Sequence, residues 1–147
     1  MKHKLLSFIL LLSALVAGTA ASWAVSNGDV FERISAATSL ADGDEVIFVN
    51  QGETLACGTT QNTNNRTAVS ITVTDHTYTY SSSDNVQVFV VKKNGSNFGF
   101  HTGSGYIYSA STSNNNLKTN TTAASTAPTK TSAWTLSATN SVFTVQN

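Results

Sequence analysis

Hydrophobic and polar residues alternate along most of this chain in short runs that predict β-strands. Side chains on a strand change face at every residue, and clusters of glycine, asparagine and serine separate the runs. Helical periodicity is weak, and only the segment 31–44 could hold a helical turn. The strand-like runs are EVIFVN, AVSITVT, TYTY, VQVFVV, NFGFH, YIYSA, AWTLSA and SVFTVQ. The pattern therefore predicts an all-β domain.

An internal repeat refines this prediction. A shift of 52 residues places the segment 46–67 over the segment 98–119 without a gap. Each copy consists of a strand-like stretch that runs into an asparagine-rich turn. The matching pairs are Phe48 and Phe100, Leu55 and Ile107, Thr60 and Thr112, Asn62 and Asn114, Asn64 and Asn116, Arg66 and Lys118, and Thr67 and Thr119.

A third copy starts in the segment 140–147, where Phe143 and Val145 correspond to Phe98 and Phe100. Two hairpins with asparagine-rich turns, followed by the first strand of a third, indicate an incomplete three-fold architecture. We predict a β-trefoil-like fold with an incomplete third repeat, and a β-sandwich is the alternative, since short alternating strands suit both. The missing final hairpins would leave strand edges unpaired.

The repeat also predicts which side chains face the core. If Leu55 and Ile107 point inward, then Tyr106 and Tyr108 point outward on the second copy. Trp134 alternates with Leu136 and is expected in the core. Cys57 follows on a predicted inner strand and is expected to be a buried, inert thiol.

The first 21 residues have the pattern of a secretory signal peptide. Lys2 and Lys4 precede an apolar run that is too short to span a bilayer, and the small residues up to Ala21 suit a cleavage site. The expected organisation is therefore a signal peptide at 1–21 and a single β module at 22–147. Cys57 is the only cysteine, so no cysteine is placed for lipid attachment, and we expect a secreted or cell-surface protein without a membrane span.

Charge excludes one class of partner. Only 11 percent of the residues are charged, and without Lys2 and Lys4 six of the eight basic residues remain against eight acidic ones. Nucleic-acid binding requires a basic surface, so we expect no nucleic-acid partner for this module.

The chain resembles a β-rich module found in secreted and surface proteins of Bacteroidetes. The resemblance rests on the segments FERISAATSLADGDEVIFVN, TTQNTNNRTAVSITV and GYIYSASTSNNNLKT, and it covers residues 29–147. In that family the module often accompanies an endonuclease/exonuclease/phosphatase domain or a lamin-tail-like domain. Family members continue with a further strand and turn and an aromatic segment, so the resemblance implies that this copy is truncated. It implies an accessory role, with catalytic residues on other domains.

Catalytic motifs are missing from the sequence. His76 and His101 lack a G-x-S-x-G elbow or another nucleophile motif nearby, and no two carboxylates are paired by the pattern as glycoside hydrolysis requires. Asp42, Asp44 and Glu45 surround Gly43, but the spacing of a calcium loop is absent and turn chemistry explains them. We therefore predict no enzyme activity, no cofactor and no metal site.

Two polar turns carry the best binding signal. Aromatic rings cover the apolar faces of sugars while amides and charged groups bond the hydroxyls, although asparagine also favours turns without any ligand. The candidate ligand-binding residues are Tyr106, Tyr108, Asn114, Asn115, Asn116 and Lys118 in the second copy, and Asn62, Asn64, Asn65 and Arg66 in the first.

The sequence thus predicts a non-catalytic secreted accessory module whose partner is a glycan or a cell-surface component. The alternative hypothesis is the N-terminal fragment of a secreted nuclease or phosphatase-like enzyme whose catalytic domain lies downstream. A third possibility is a fragment that needs a complementing β segment from a partner.

Overall fold

The computed structural model describes residues 25–109, 117–120, 133–139 and 142–146. These ranges are built mainly from short antiparallel strands, so the all-β prediction is confirmed. The strands are β1 (Val30–Glu32), β2 (Glu45–Val46), β3 (Leu55–Gln61), β4 (Arg66–Ser70), β5 (Thr77–Thr79), β6 (Phe89–Asn94), β7 (Asn97–His101), β8 (Tyr106–Ser109), β9 (Leu117–Asn120), β10 (Thr135–Thr139) and β11 (Val142–Gln146).

The largest sheet has five strands in the order β2-β6-β7-β8-β9. Three two-stranded sheets accompany it, formed by the pairs β1 and β5, β3 and β4, and β10 and β11. All of these pairs are antiparallel. The segment 31–44, which could hold a helical turn by sequence, contains one short 3₁₀ turn at Ala37–Ser39, and a second lies at Ser82–Asp84.

Each copy of the sequence repeat contains an antiparallel hairpin. β3 pairs with β4 around the turn 62–65, and β8 pairs with β9. The segment that starts the third copy contains β11, which pairs with β10. The trefoil-like arrangement, its incomplete third repeat and the sandwich alternative stay predictions.

The main hydrophobic cluster covers one face of the five-stranded sheet. Phe89, Val91 and Phe100 are at most 1 percent exposed, and Phe48 packs against both phenylalanines with ring centroids 4.7 and 4.8 Å away. Trp134 joins this cluster as predicted: it is 7 percent exposed and its indole Nε1 donates to the Ile107 carbonyl at 3.2 Å.

A second, smaller cluster lies between the β1–β5 pair and the β3–β4 hairpin. Its buried members are Ala56, Tyr78 and Val86, and Phe31 and Ile47 pack against it. Because the clusters share no buried residue, the part of the chain that the structure describes has two separate hydrophobic centres.

The predicted inward position of Leu55 and the predicted outward position of Tyr106 are wrong, whereas Ile107 is fully buried in the main cluster as expected. Leu55 is 39 percent exposed and Ala56 is 3 percent exposed, so Ala56 points inward on β3 where Leu55 was expected. The buried residue equivalent to Ile107 is therefore one position later, and a one-residue slip reverses every side chain on a strand. Tyr106, expected to face solvent, is only 3 percent exposed and packs edge-on against the His101 ring at 5.0 Å.

Cys57 is half-buried against the main cluster. Burial raises the pKa of its thiol and outweighs the opposing effect of the Arg66 charge. The thiol therefore stays protonated at neutral pH, as expected for an inert cysteine.

The predicted signal peptide at 1–21 lies outside the described residues. Among the residues that are described, no helix has the length and apolar character needed to cross a membrane.

Candidate ligand cleft and its polar rim

A cleft of about 590 Å³ opens where the two hydrophobic clusters approach each other. Its walls come from β1 with the residues after it and from the segment 44–51, and Phe48, Phe100 and Leu136 contribute from the main cluster. Phe31, Ile47 and Tyr78 contribute from the second cluster. Cavities that bind small ligands usually measure about 300–1,000 Å³ and are mainly apolar, so this cleft has the size and character of a binding site.

Three charged or polar side chains meet at one side of the cleft, and we call Arg33, Glu53 and His76 the rim triad. The Glu53 carboxylate Oε1 lies 3.1 Å from Arg33 Nη1 and 2.8 Å from His76 Nδ1. Its other oxygen lies 3.0 Å from the same histidine nitrogen. The side chains of Arg33 and His76 are 43 and 54 percent exposed, so both remain accessible from the cleft mouth.

A tight hairpin turn places His76 at the rim. Thr74 and Thr77 exchange two backbone hydrogen bonds of 2.9 Å, and the two residues between them have φ angles of 49° and 62°. Two successive positive φ angles define the type I′ turn that matches the twist of antiparallel strands, a turn that usually contains asparagine or glycine. His76 is therefore held in an unfavourable backbone conformation.

A second turn places Glu53 opposite His76. The Asn50 side-chain oxygen accepts the backbone N–H groups of Thr54 and Leu55, both at 2.9 Å, and the Glu53 N–H donates to the Asn50 carbonyl at 2.9 Å. Glu53 itself has a φ of 55°. Two members of the rim triad thus share the left-handed conformation, which costs a residue with a Cβ about 1–2 kcal/mol.

The contact with Glu53 determines the protonation pattern of His76. A carboxylate accepts hydrogen bonds, so neutral His76 carries its proton on Nδ1 and leaves Nε2 as an acceptor. Among the described residues the imidazole has no hydrogen-bond partner other than Glu53, so Nε2 is not bonded. The rim triad is therefore arranged to hydrogen-bond a ligand, with one acceptor nitrogen and one guanidinium at the cleft mouth.

Two acidic side chains of the turn 42–45 accept backbone hydrogen bonds, as expected of a structural turn. Asp42 accepts the Lys93 N–H at 2.8 Å and Asp44 accepts the Ala41 N–H at 2.7 Å, while Gly43 has a φ of 93°. Across the described ranges, no three histidine, cysteine, aspartate or glutamate side chains are grouped closely enough to hold a metal ion.

The candidate residues of the second turn are only partly described. Tyr106 is buried, while Tyr108 and Lys118 are half-buried on paired positions of β8 and β9. Asn114, Asn115 and Asn116 lie outside the described residues. Burial, and next the charge of Asp42, raises the pKa of Tyr106, which also indicates a ring that is withdrawn from solvent.

In the first turn, by contrast, the candidate residue Asn65 and its neighbour Gln61 have partners within the protein. Asn65 Oδ1 accepts the backbone N–H of Leu117 at 3.1 Å, and the neighbouring Gln61 accepts that of Thr119 at 3.1 Å. Asn62 and Asn64 are exposed at the tip of the turn. The first asparagine-rich turn is thus attached to β9 of the second hairpin.

Arg66 is the most connected side chain of this attachment. Its Nη1 donates to Thr119 Oγ1 at 2.6 Å, its Nη2 donates to Gln87 Oε1 at 2.6 Å and to the Thr59 carbonyl at 2.7 Å, and its Nε donates to the Gly58 carbonyl at 3.1 Å. Gln87 is only 9 percent exposed, so the guanidinium satisfies an acceptor that is almost buried. These bonds give Arg66 a structural role.

The sequence did not reveal the rim triad. Its members lie at positions 33, 53 and 76, outside any motif, and His76 alone gave no sign of a function. One signal was present: the Thr-Asp-His-Thr segment between two strand-like runs is a two-residue turn whose second position carries a side chain unsuited to it.

At position 76 a glycine variant should be more stable than an alanine variant, although alanine is the more stabilising of the two at most positions. Both His76→Gly and His76→Ala lose the Glu53 contact, but only glycine adopts a φ of 62° without strain. We expect His76→Gly to unfold with a free energy about 1 kcal/mol higher than His76→Ala in urea titrations. Equal stabilities would contradict the strained turn.

The phenol of Tyr78 should make stability depend on alkaline pH. Burial, and next the hydrogen bond to Asp84 at 2.8 Å, raises the pKa of Tyr78 to about 12. The unfolded phenol ionises near pH 10, so its contribution to stability is complete below about pH 10 and is lost as the pH rises toward 12. The urea midpoint of the wild type should fall more steeply between about pH 10 and 12 than that of Tyr78→Phe, and parallel curves would contradict this assignment.

Comparisons of this chain with protein-family models, with curated proteins and with solved structures found no match. The resemblance to a module of exported Bacteroidetes proteins is therefore still a prediction, and the case for a function depends on the geometry of the cleft.

Proposed function

We propose that this chain is a non-catalytic, exported binding module and that its ligand, a glycan or another cell-surface component, occupies the cleft beside the rim triad. The observation that carries this proposal is a cavity of about 590 Å³ whose walls are mainly apolar and whose rim carries the hydrogen-bonding groups of Arg33, Glu53 and His76. Such a combination gives a ligand apolar contact area and fixes its orientation through few hydrogen bonds.

Backbone strain supports the same location. His76 and Glu53 both have positive φ angles, and their side chains contact each other at the cleft mouth. Strained residues persist where the surrounding structure enforces them, and they are concentrated at sites that act on or hold ligands.

The first asparagine-rich turn is a weaker candidate for the main contact. Asn65 and Arg66 bond to β9 and to neighbouring carbonyls, and Tyr106 is buried. Tyr108, Lys118 and the turn tip at Asn62 and Asn64 provide at most a secondary polar surface for a large ligand.

Two arrays test the proposal with purified residues 22–147, one of glycans and one of six-residue peptides. We expect binding on at least one array, and we expect Glu53→Gln to weaken it about tenfold because the carboxylate that orients His76 is lost. Asp75→Asn is the matched control, since it neutralises a carboxylate in the hairpin turn that carries His76 but outside the cleft. The proposal would be overturned by a folded sample that binds neither array. It would also be overturned by a Glu53→Gln variant that binds as tightly as the wild type.

A further inference from the structure

β1 presents an unpaired edge at the cleft. β1 and β5 pair with Phe31 opposite Tyr78, and hydrogen bonds join Asp29 to Tyr80 and Arg33 to His76. Hydrogen-bonded pairs alternate along an antiparallel ladder, so the N–H and C=O groups of Val30 and Glu32 point away from β5. Nowhere in the described ranges do these groups find a hydrogen-bond partner.

Exposed apolar side chains accompany this edge. Val30 is 61 percent exposed and Val49 is 37 percent exposed, and both line the cleft. An open strand edge that is flanked by apolar side chains is a template for another strand, and proteins normally cover or charge such edges. The ligand that satisfies both the backbone groups and the apolar walls is an extended polypeptide.

The charge of the cleft indicates which side chains that polypeptide should carry. Four carboxylates line it, those of Glu32, Asp44, Glu45 and Glu53, against the single guanidinium of Arg33 and the imidazole of His76. An acidic surface attracts cationic partners and raises their association rate.

We propose that the cleft binds an extended peptide segment of a partner protein, in which apolar and basic residues alternate, as an additional strand on the free edge of β1. Alternation follows from strand geometry, because every second side chain of the added strand points to the same face. The apolar side chains enter the cleft and the basic side chains lie over the carboxylates. This inference rests on the proposed binding function of the cleft and specifies its ligand.

The test uses six-residue peptides in which lysine alternates with valine, isoleucine, leucine or threonine. Calorimetry with residues 22–147 should show binding at a 1:1 ratio that weakens as salt is added. The same peptides with N-methylated backbone amides keep their side chains but cannot pair as strands, and we expect them to bind at least about tenfold more weakly.

Proline substitutions test the edge on the protein itself. Glu32→Pro removes an N–H that points away from β5, and edge positions tolerate proline, so the β1–β5 ladder is kept while binding falls about tenfold below that of Glu32→Gln, which loses the same carboxylate but keeps the N–H. Thr79→Pro is the matched control: Thr79 is opposite Val30, so its N–H points to the outer edge of β5, away from the cleft, and binding should be unchanged. Circular dichroism of each variant checks that it folds like the wild type.

The outcomes separate the two proposals. Binding of glycans but not of these peptides, with loss in Glu53→Gln, would overturn the peptide inference and leave the binding function standing. Equal binding of N-methylated and unmodified peptides would also overturn strand addition. Absence of binding to both ligand classes would overturn the inference together with the proposed function.

Discussion

Phe89→Ala is expected to lower the free energy of unfolding by about 3–5 kcal/mol. The side chain is fully buried, stacks on Phe48 at 4.7 Å and meets Phe100 edge-on at 6.5 Å. Truncation therefore removes apolar contacts and leaves a cavity among aromatic rings from separate segments of the chain, which cannot close around it without moving the sheet. Urea unfolding monitored by tryptophan fluorescence measures the loss.

Two further variants keep this prediction testable even if Phe89→Ala does not fold. Phe89→Leu retains most of the volume and should cost less than half as much as the alanine variant. Val30→Ala shortens a side chain that is 61 percent exposed, so its effect should be below about 0.5 kcal/mol. Similar losses for Val30→Ala and Phe89→Leu would show that the main cluster is misplaced.

Arg66→Ala is expected to destabilise the protein by about 2–3 kcal/mol. Four hydrogen bonds of the guanidinium disappear, and the nearly buried Gln87 oxygen loses the donor at 2.6 Å. An acceptor left unsatisfied away from water costs more than the bond contributed. Chemical denaturation of the variant and the wild type measures the difference.

Lys118 offers the matched control because it occupies the position equivalent to Arg66 in the second copy of the repeat. The structure gives the Lys118 ammonium no hydrogen bond or ion pair among the described residues, so Lys118→Ala should change stability by less than about 0.5 kcal/mol. Arg66→Lys should not restore the wild-type value, because an ammonium lacks the planar fork that reaches four acceptors. Equal effects of Arg66→Ala and Lys118→Ala would contradict the role assigned to Arg66.

The fold class could be predicted from the sequence because it depends on local alternation. Runs such as VQVFVV and NFGFH became β6 and β7, and the repeated segments both contain hairpins. The inward position of Ile107 on β8 was predicted correctly, but the face of β3 was not, since a shift of one residue in the repeat exchanges Leu55 for Ala56. Small residues such as Ala56 carry too little hydrophobic signal to correct such a slip.

The candidate site was beyond sequence reasoning for a different physical reason. The rim triad forms only when three segments that are distant in the sequence come together. Each of its members, Arg33, Glu53 and His76, is of a residue type that is common on solvent-exposed surfaces. The sequence repeat instead led to the prediction that the asparagine-rich turns bind the ligand. Asparagine and glutamine side chains imitate backbone groups, so a residue type suited to a sugar hydroxyl is equally suited to another segment of the same chain.

The attachment of the first turn to β9 covers the outer edge of the five-stranded sheet. β9 is the last strand of the five-stranded sheet, and the N–H groups of Leu117 and Thr119 would otherwise be open to pairing with a neighbouring chain. Gln61 and Asn65 occupy those donors with side-chain amides, which cannot extend the ladder further. Substituting both residues with alanine should therefore leave an unpaired strand edge and promote self-association into strand-paired aggregates.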